Sequence, residues 1–172
     1  MGKSDLFIKI HRPIIELASS IPSEDNLILM GNHPHRLDPL LVSSLSPKMM
    51  VVKNDDEKGS SLYRSINCDL TKTSMGNLSN LFIALIENNV LCIFPEGEIN
   101  DSDELKKFMK GAMTLAVRSK SKIMPFAITG SYNLFTKDRL TIRVGESFET
   151  EGMKEKELEG YLKNKILELK KK

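Results

Sequence analysis

Residues 27–31 read LILMG, 90–94 read VLCIF and 123–128 read IMPFAI, short runs that are apolar at nearly every position. A strand with one face in water alternates apolar and polar residues, whereas a strand buried on both faces is apolar throughout. Strands of the second kind need helices above and below them, so the chain is bound to a mixed α/β layer architecture with a largely buried sheet. The same reasoning predicts strands at 49–53 (MMVVK), 65–69 (SINCD) and 139–144 (RLTIRV).

Helical periodicity fills the gaps. Met75, Leu78, Leu81, Phe82, Leu85 and Ile86 recur at helical spacing and predict a helix over 75–88, with Ser74 as its N-cap. Leu105, Phe108, Met109, Ala112, Met113 and Ala116 predict a second over 103–118, with Asp101, Ser102 and Asp103 as cap acceptors. Leu158, Leu162, Ile166 and Leu169 predict a third over 153–169, ending in a lysine tail. These stripes read as core faces rather than cofactor sites.

Near the start, Leu6, Phe7, Ile10, Ile14, Ile15 and Leu17 interleave with Lys3, Lys9 and Arg12, and Pro13 interrupts the pattern. Either a helix packs on the sheet edge, or residues 1–20 form an amphipathic segment resting among lipid headgroups.

The length of 172 residues fits a single domain, 1–172, around one core. A net charge of +2, no Trp and 6% aromatic residues give no support to nucleic-acid binding. Cys68 and Cys92 lie in apolar stretches without metal-ligand or CxxC spacing, and read as buried thiols of a reducing compartment. No apolar run approaches the ~20 residues that span a bilayer. MGKSDLFIKIHRP also lacks the core and cleavage site of a signal peptide. The expectation is a cytoplasmic protein that reaches a membrane, if at all, from the side.

Residues 31–38, GNHPHRLD, concentrate two of the three histidines directly after an apolar strand. Three readings compete. A metal site needs further ligands, and only His11 remains to supply one. A proton-transfer pair needs one histidine and a carboxylate that holds its ring, which His33 and Asp38 supply if the chain turns at Pro34. A polar strand-to-helix turn needs only Asp38 as a cap ahead of Pro39. The stretch alone leaves catalysis and structure open, although the C-terminal rim of a sheet is where open α/β folds place their sites.

A second block, FPEG at 94–97, follows another apolar strand. Together, Asn32–Asp38 and Phe94–Gly97 resemble the Asn-His-x-x-x-x-Asp and Phe-Pro-Glu-Gly blocks of the glycerolipid acyltransferases. FMKGAMTLA at 108–116 and IMPFAITG at 123–130 are similar to that family's downstream segments, so the resemblance covers a motif-bearing core over about 27–130. It implies a glycerol-3-phosphate acyltransferase-like fold and acyl transfer from acyl-CoA or acyl carrier protein to the hydroxyl of a lysophospholipid or related glycerolipid. It also implies His33 as general base, Asp38 as its orienting partner, and Glu96 and Gly97 at the acceptor, with no metal and no cofactor beyond the co-substrate thioester. The absence of a Gly-x-Ser-x-Gly elbow and of an electropositive cysteine agrees with direct attack by the alcohol.

Two departures bear on the acceptor. The family's arginine between the first two blocks aligns with Leu70 in SINCDLTK, and FPEGEIN sets Glu98 and Ile99 where threonine and arginine are usual. Both losses remove guanidinium forks suited to phosphate. Lys72, Arg64, Lys53 or Arg36 are the substitutes, with Lys72 favoured and Arg36 carried beside it. Lys106, Lys107, Lys110 and Lys170–Lys172 are candidates for contact with anionic lipid at the inner face of a membrane. A lipid-binding relative without activity, and a thioester hydrolase using the same His/Asp pair, are the alternatives.

Overall fold

The computed structural model describes residues 3–22, 26–54 and 61–172, so the first two residues of segment 1–20 lie outside it. Elements run in the order α1 (Lys3–His11), β1 (Ile14–Leu17), β2 (Leu27–Gly31), α2 (Asp38–Ser43), β3 (Met49–Lys53), β4 (Ser65–Asn67) and α3 (Met75–Ile86). They continue with β5 (Val90–Ile93), α4 (Lys110–Ser119), β6 (Lys122–Thr129), β7 (Thr141–Val144), β8 (Phe148–Glu149) and α5 (Glu155–Lys170). Among the described residues the strands form one eight-stranded sheet in the order β1-β7-β6-β2-β5-β3-β4, with β8 paired to β6.

The five strands β6-β2-β5-β3-β4 are mutually parallel. β7 runs antiparallel to β6 and carries β1 beside it. Alternate residues of the all-apolar strands serve opposite cores. Ile28, Met30, Leu91, Ile93 and Ile123 join α3, α4 and α5 on one face. Leu27, Leu29, Val90, Cys92, Met124 and Phe126 join α1 and α2 on the other. The layered mixed α/β architecture expected from the apolar runs is the one observed.

Three local expectations change. The amphipathic start is a short helix that ends before Pro13, after which Ile14–Leu17 pairs with β7 as an edge strand. The helix predicted from 103 begins only at Lys110, because three N–H groups upstream are committed elsewhere. Lys106 donates to Glu96 Oε2 at 2.8 Å, Phe108 to Glu159 Oε1 at 3.0 Å and Met109 to the Pro95 carbonyl at 2.8 Å. Leu105 and Phe108 still reach the core, but from extended chain. The strand predicted to Asp69 stops at Asn67. Ser74 caps α3 as expected, accepting from the Asn77 N–H at 3.3 Å.

β2 and β5 are neighbours, yet the chain leaves them toward opposite faces: β2 runs on to α2 in one core, β5 to α4 in the other. Diverging connections leave a crevice at the C-terminal rim between two such strands. Gly31 closes β2 at a point where a Cβ would lie 2.3 Å from the Phe126 ring and 2.4 Å from its carbonyl oxygen.

Gly31→Ala is therefore expected to lower the unfolding free energy by at least about 3 kcal/mol, since a backbone oxygen cannot move aside. Gly160→Ala, in the exposed middle of α5 with nothing within 4 Å of the new carbon, is expected to raise it by about 0.5–1 kcal/mol. Urea titrations of the two variants check both signs.

Candidate active site

The rim crevice collects the residues singled out in the sequence. Asn32 follows β2 and is spent on architecture. Its amide donates to the Ile128 carbonyl at 2.9 Å and accepts from the Ile128 N–H at 2.7 Å, pinning the end of β2 to β6. With its predecessor fixed, His33 projects into the crevice and stacks on Phe94 of the second block, ring centroids 4.2 Å apart.

His33 Nδ1 lies 2.8 Å from Asp38 Oδ2. A carboxylate can only accept, so a proton sits on Nδ1, and in the neutral ring the lone pair is then on Nε2. Asp38 has no exposure to solvent. It is the first residue of α2 rather than its cap; Leu37 takes the cap position without a side-chain bond. The carboxylate is fully occupied: the His35 N–H donates to Oδ2 at 2.7 Å, and the Tyr132 hydroxyl donates to Oδ1. Burial and the charge of Asp38 together push the Tyr132 hydroxyl well above its ordinary pKa, so it remains a donor. The same burial pushes the Cys92 thiol up, and the nearby Asp38 charge adds to it.

The second histidine of the stretch has a structural task. His35 stacks on Tyr132 at 4.3 Å, and its Nδ1 accepts the Leu37 N–H at 3.2 Å. His11 meets the edge of the same tyrosine ring at 5.9 Å. Among the described residues no group of three or more His, Cys, Asp or Glu side chains could hold a metal ion.

Phe94–Gly97 forms a turn closed by the Gly97 N–H to the Phe94 carbonyl at 3.0 Å. Gly97 adopts φ 75°, and a Cβ there would meet Met109 Sδ at 2.7 Å. Glu96 is 7% exposed. Its Oε2 accepts from Asn100 Nδ2 at 2.6 Å and from the Lys106 N–H, while Oε1 is buried with no partner. An unsatisfied buried acceptor costs about 1–3 kcal/mol, more when charged, which marks Oε1 as a place where something outside the chain can bind.

Glu96 and Gly97 line a groove of about 540 Å³ with Asp69, Lys72, Glu98 and Met109. It adjoins a small cleft of about 60 Å³ lined by His33, Val52, Leu70 and Phe94 together with the polar Lys53 and Tyr63, with Asn54, Gly97 and Met109 common to both. Lys72, the cation favoured from the sequence, lines this groove with its Nζ 3.1 Å from Asp69 Oδ2. Leu70, in the place of the family's arginine, is a 2% exposed core residue. Glu98 is paired with Lys106 at 2.9 Å, and Ile99 is half exposed. Arg36 is exposed on the turn and lines neither cavity. Arg64 is at the opposite rim, bonded to the Pro47 carbonyl and, at 2.7 Å, to Asn89. Neither arginine replaces the missing ones at the groove.

Tyr132 is the site residue that sequence reasoning missed. It is 94 positions from Asp38, and no local pattern signals a tertiary donor of this kind.

A sequence profile of the family described as Acyltransferase matches residues 12–129. The 1-acyl-sn-glycerol-3-phosphate acyltransferase of Borreliella burgdorferi is 26% identical over 152 residues, covering 79% of this chain and 58% of that protein. The human 1-acyl-sn-glycerol-3-phosphate acyltransferase beta is 27% identical over 144 residues, covering 73% and 52%. The chain thus spans a little over half the length of these curated relatives. The crystal structure of the 1-acyl-sn-glycerophosphate (LPA) acyltransferase PlsC from Thermotoga maritima superposes with a TM-score of 0.70 at 19% identity, covering 95% of this chain and 73% of that one. The two share a fold.

Removing only the hydroxyl in Tyr132→Phe strips Asp38 Oδ1 of its donor. The expected loss is about 1–3 kcal/mol of unfolding free energy, read by urea titration at neutral pH. A change of only a few tenths would mean that the hydroxyl is not a structural donor to Asp38.

Proposed function

This chain belongs to the acyltransferase family, and on that footing we propose that it moves a fatty acyl group from acyl-CoA or acyl carrier protein to the hydroxyl of a lysophospholipid or related glycerolipid. The observation that carries this reading is the 2.8 Å contact of His33 Nδ1 with a carboxylate that has no access to water. A histidine so held has its Nε2 free for proton transfer, and the imidazolium it becomes is stabilised by the buried charge.

Nε2 takes the proton of the acceptor hydroxyl as its oxygen attacks the thioester carbonyl carbon. The tetrahedral intermediate collapses, the C–S bond breaks, and the departing thiolate recovers the proton from Nε2. An ester and a free thiol result, with no covalent enzyme intermediate. The thiols of the chain suit this route: Cys92 is fully buried and Cys68 is 3% exposed, so neither is placed to accept an acyl group.

Glu96 Oε1 accepts a hydroxyl of the acceptor in this reading, which would satisfy the one buried side-chain oxygen without a partner among the described residues. The cleft at His33, with Val51, Val52, Leu70 and Phe94 in its walls, suits the few carbons next to the thioester rather than a whole acyl chain. Lys72 is the cation that meets an acceptor phosphate, supported by its position on the groove and by relatives named for 1-acyl-sn-glycerol-3-phosphate. Phosphate recognition there is a point charge opposed by Asp69, Glu96 and Glu98 on the same groove, so charge-neutral headgroups compete more evenly than they would against an arginine fork.

Among the described residues no helix is long and apolar enough to cross a membrane. We place the protein at the inner face of a membrane, approached from the cytoplasm.

Thiol release from acyl-CoA is the measurement that decides among the readings. The parent chain is expected to release thiol only when a lysolipid is present, and His33→Ala is expected to lose activity by at least about a thousandfold while remaining folded, its unfolding free energy lowered by about 1–3 kcal/mol for the donor lost to Asp38. Release without acceptor would instead identify a hydrolase; no release with any acceptor, together with lysolipid binding, would identify a carrier. Lys72→Glu is expected to raise KM for lysophosphatidate about tenfold with kcat nearly constant, and to leave a neutral lysolipid unaffected.

A further inference from the structure

The loop from β6 to β7 leaves the rim that carries His33, and its outer end is built in an unusual way. Phe135 is 97% exposed and Leu134 is 55% exposed. Large apolar side chains held this far into solvent need an explanation when they are adjacent and rigidly presented.

The presentation is rigid because the loop satisfies its own backbone. The Phe135 N–H donates to Asn133 Oδ1 at 3.0 Å, the Asn133 N–H to Ser131 Oγ at 3.1 Å, and the Thr136 hydroxyl to the Asn133 carbonyl at 3.1 Å. The Ser131 N–H closes the base on the Asp138 carbonyl at 3.1 Å. With acceptors already in place for the Asn133, Phe135 and Thr136 N–H groups, the tip strands fewer donors on leaving water, which lowers the cost of entering a lipid phase.

The surroundings agree. Leu6 and Ile10, one helical turn apart on α1, are 48% and 50% exposed. Ile10 and Leu134 line the same shallow basin of about 560 Å³ with Lys9, Arg12, Asp138 and Arg139. Lys137 follows the tip, and Lys9, Arg12 and Arg139 line the basin with Asp138, while Asp5 lies one turn from Lys9 on α1. A convex apolar tip ringed by cations fits a deformable apolar phase beneath an anionic layer; protein partners more often present pockets that receive such anchors.

We propose that Leu134 and Phe135 insert into an anionic lipid surface, with Leu6 and Ile10 beside them and Lys9, Arg12, Lys137 and Arg139 at headgroup level. The inference deepens the acyl-transfer reading by naming the element that docks the site on its substrate's phase. Because Tyr132 of the same loop holds Asp38, the docked loop is tied to the catalytic pair.

The chain has no Trp, so Phe135→Trp installs a single fluorophore at the tip. Added to vesicles of phosphatidylglycerol and phosphatidylcholine, it is expected to shift to the blue and to be quenched by brominated acyl chains. The double variant L134S/F135S is expected to lose at least about tenfold in vesicle partitioning, yet to match the parent in thiol release with a short-chain acceptor kept monomeric. Unshifted emission, unchanged partitioning of L134S/F135S, or no vesicle binding by the parent would overturn the proposal. So would a blue shift produced by an acidic acyl carrier protein and not by vesicles, which would make the patch a protein-docking surface. A parent that binds vesicles but never releases thiol would sink the acyl-transfer reading while leaving the lipid anchor standing.

Discussion

The site rests on one buried carboxylate. Asp38 has no contact with water, and a bare charge in that position would be untenable without donors. It receives three: the His33 ring, the His35 N–H and the Tyr132 hydroxyl. Each donor belongs to a different piece of the rim, namely the end of β2, the turn before α2 and the loop after β6. Meeting the electrostatic demand of one side chain therefore fixes the relative positions of all three pieces. The geometry of the His33–Asp38 pair and the stability of the rim are here the same set of hydrogen bonds.

The sheet makes this arrangement reachable. Five parallel strands deliver their C-terminal ends to one edge of the molecule, and the opposite exits of β2 and β5 open the crevice, with His33 in its small cleft and Glu96 on the adjoining groove. Asn32 completes the frame by bonding both backbone groups of Ile128. The residue immediately before His33 is thereby a structural one.

Much of this was legible in the sequence because the determining signals are local. LILMG and VLCIF have no polar residue to turn toward water, so their burial on both faces followed directly. The His33–Asp38 pairing was one of three readings that GNHPHRLD allowed, and the resemblance of the FPEG block singled it out. What was not legible involves partners far along the chain. Leu105, Phe108 and Met109 keep helical spacing, yet Glu96, Glu159 and Pro95 capture their neighbourhood's N–H groups and hold the segment extended. IIEL at 14–17 continues an amphipathic pattern and shows no strand signal of its own; β7 makes it a strand. Tyr132 lies in a stretch that reads as an ordinary surface loop. Arg64 and Arg36 were eligible by charge alone, and only the fold shows that one faces the opposite rim and the other lines neither cavity.

On the proposed reading Glu96 divides its two oxygens between separate tasks, Oε2 on the Asn100 and Lys106 bonds and Oε1 toward the acceptor, and this restricts how position 96 can drift in evolution. Aspartate is a methylene too short to keep both the Asn100 and Lys106 bonds while lining the groove. Glutamine could retain those bonds through its carbonyl, but its amide would turn the remaining acceptor into a donor. Alanine would release the segment that follows the turn. The position is consequently closed to stepwise change: each single substitution forfeits either the strap or the acceptor, and no neighbouring residue can supply both at once.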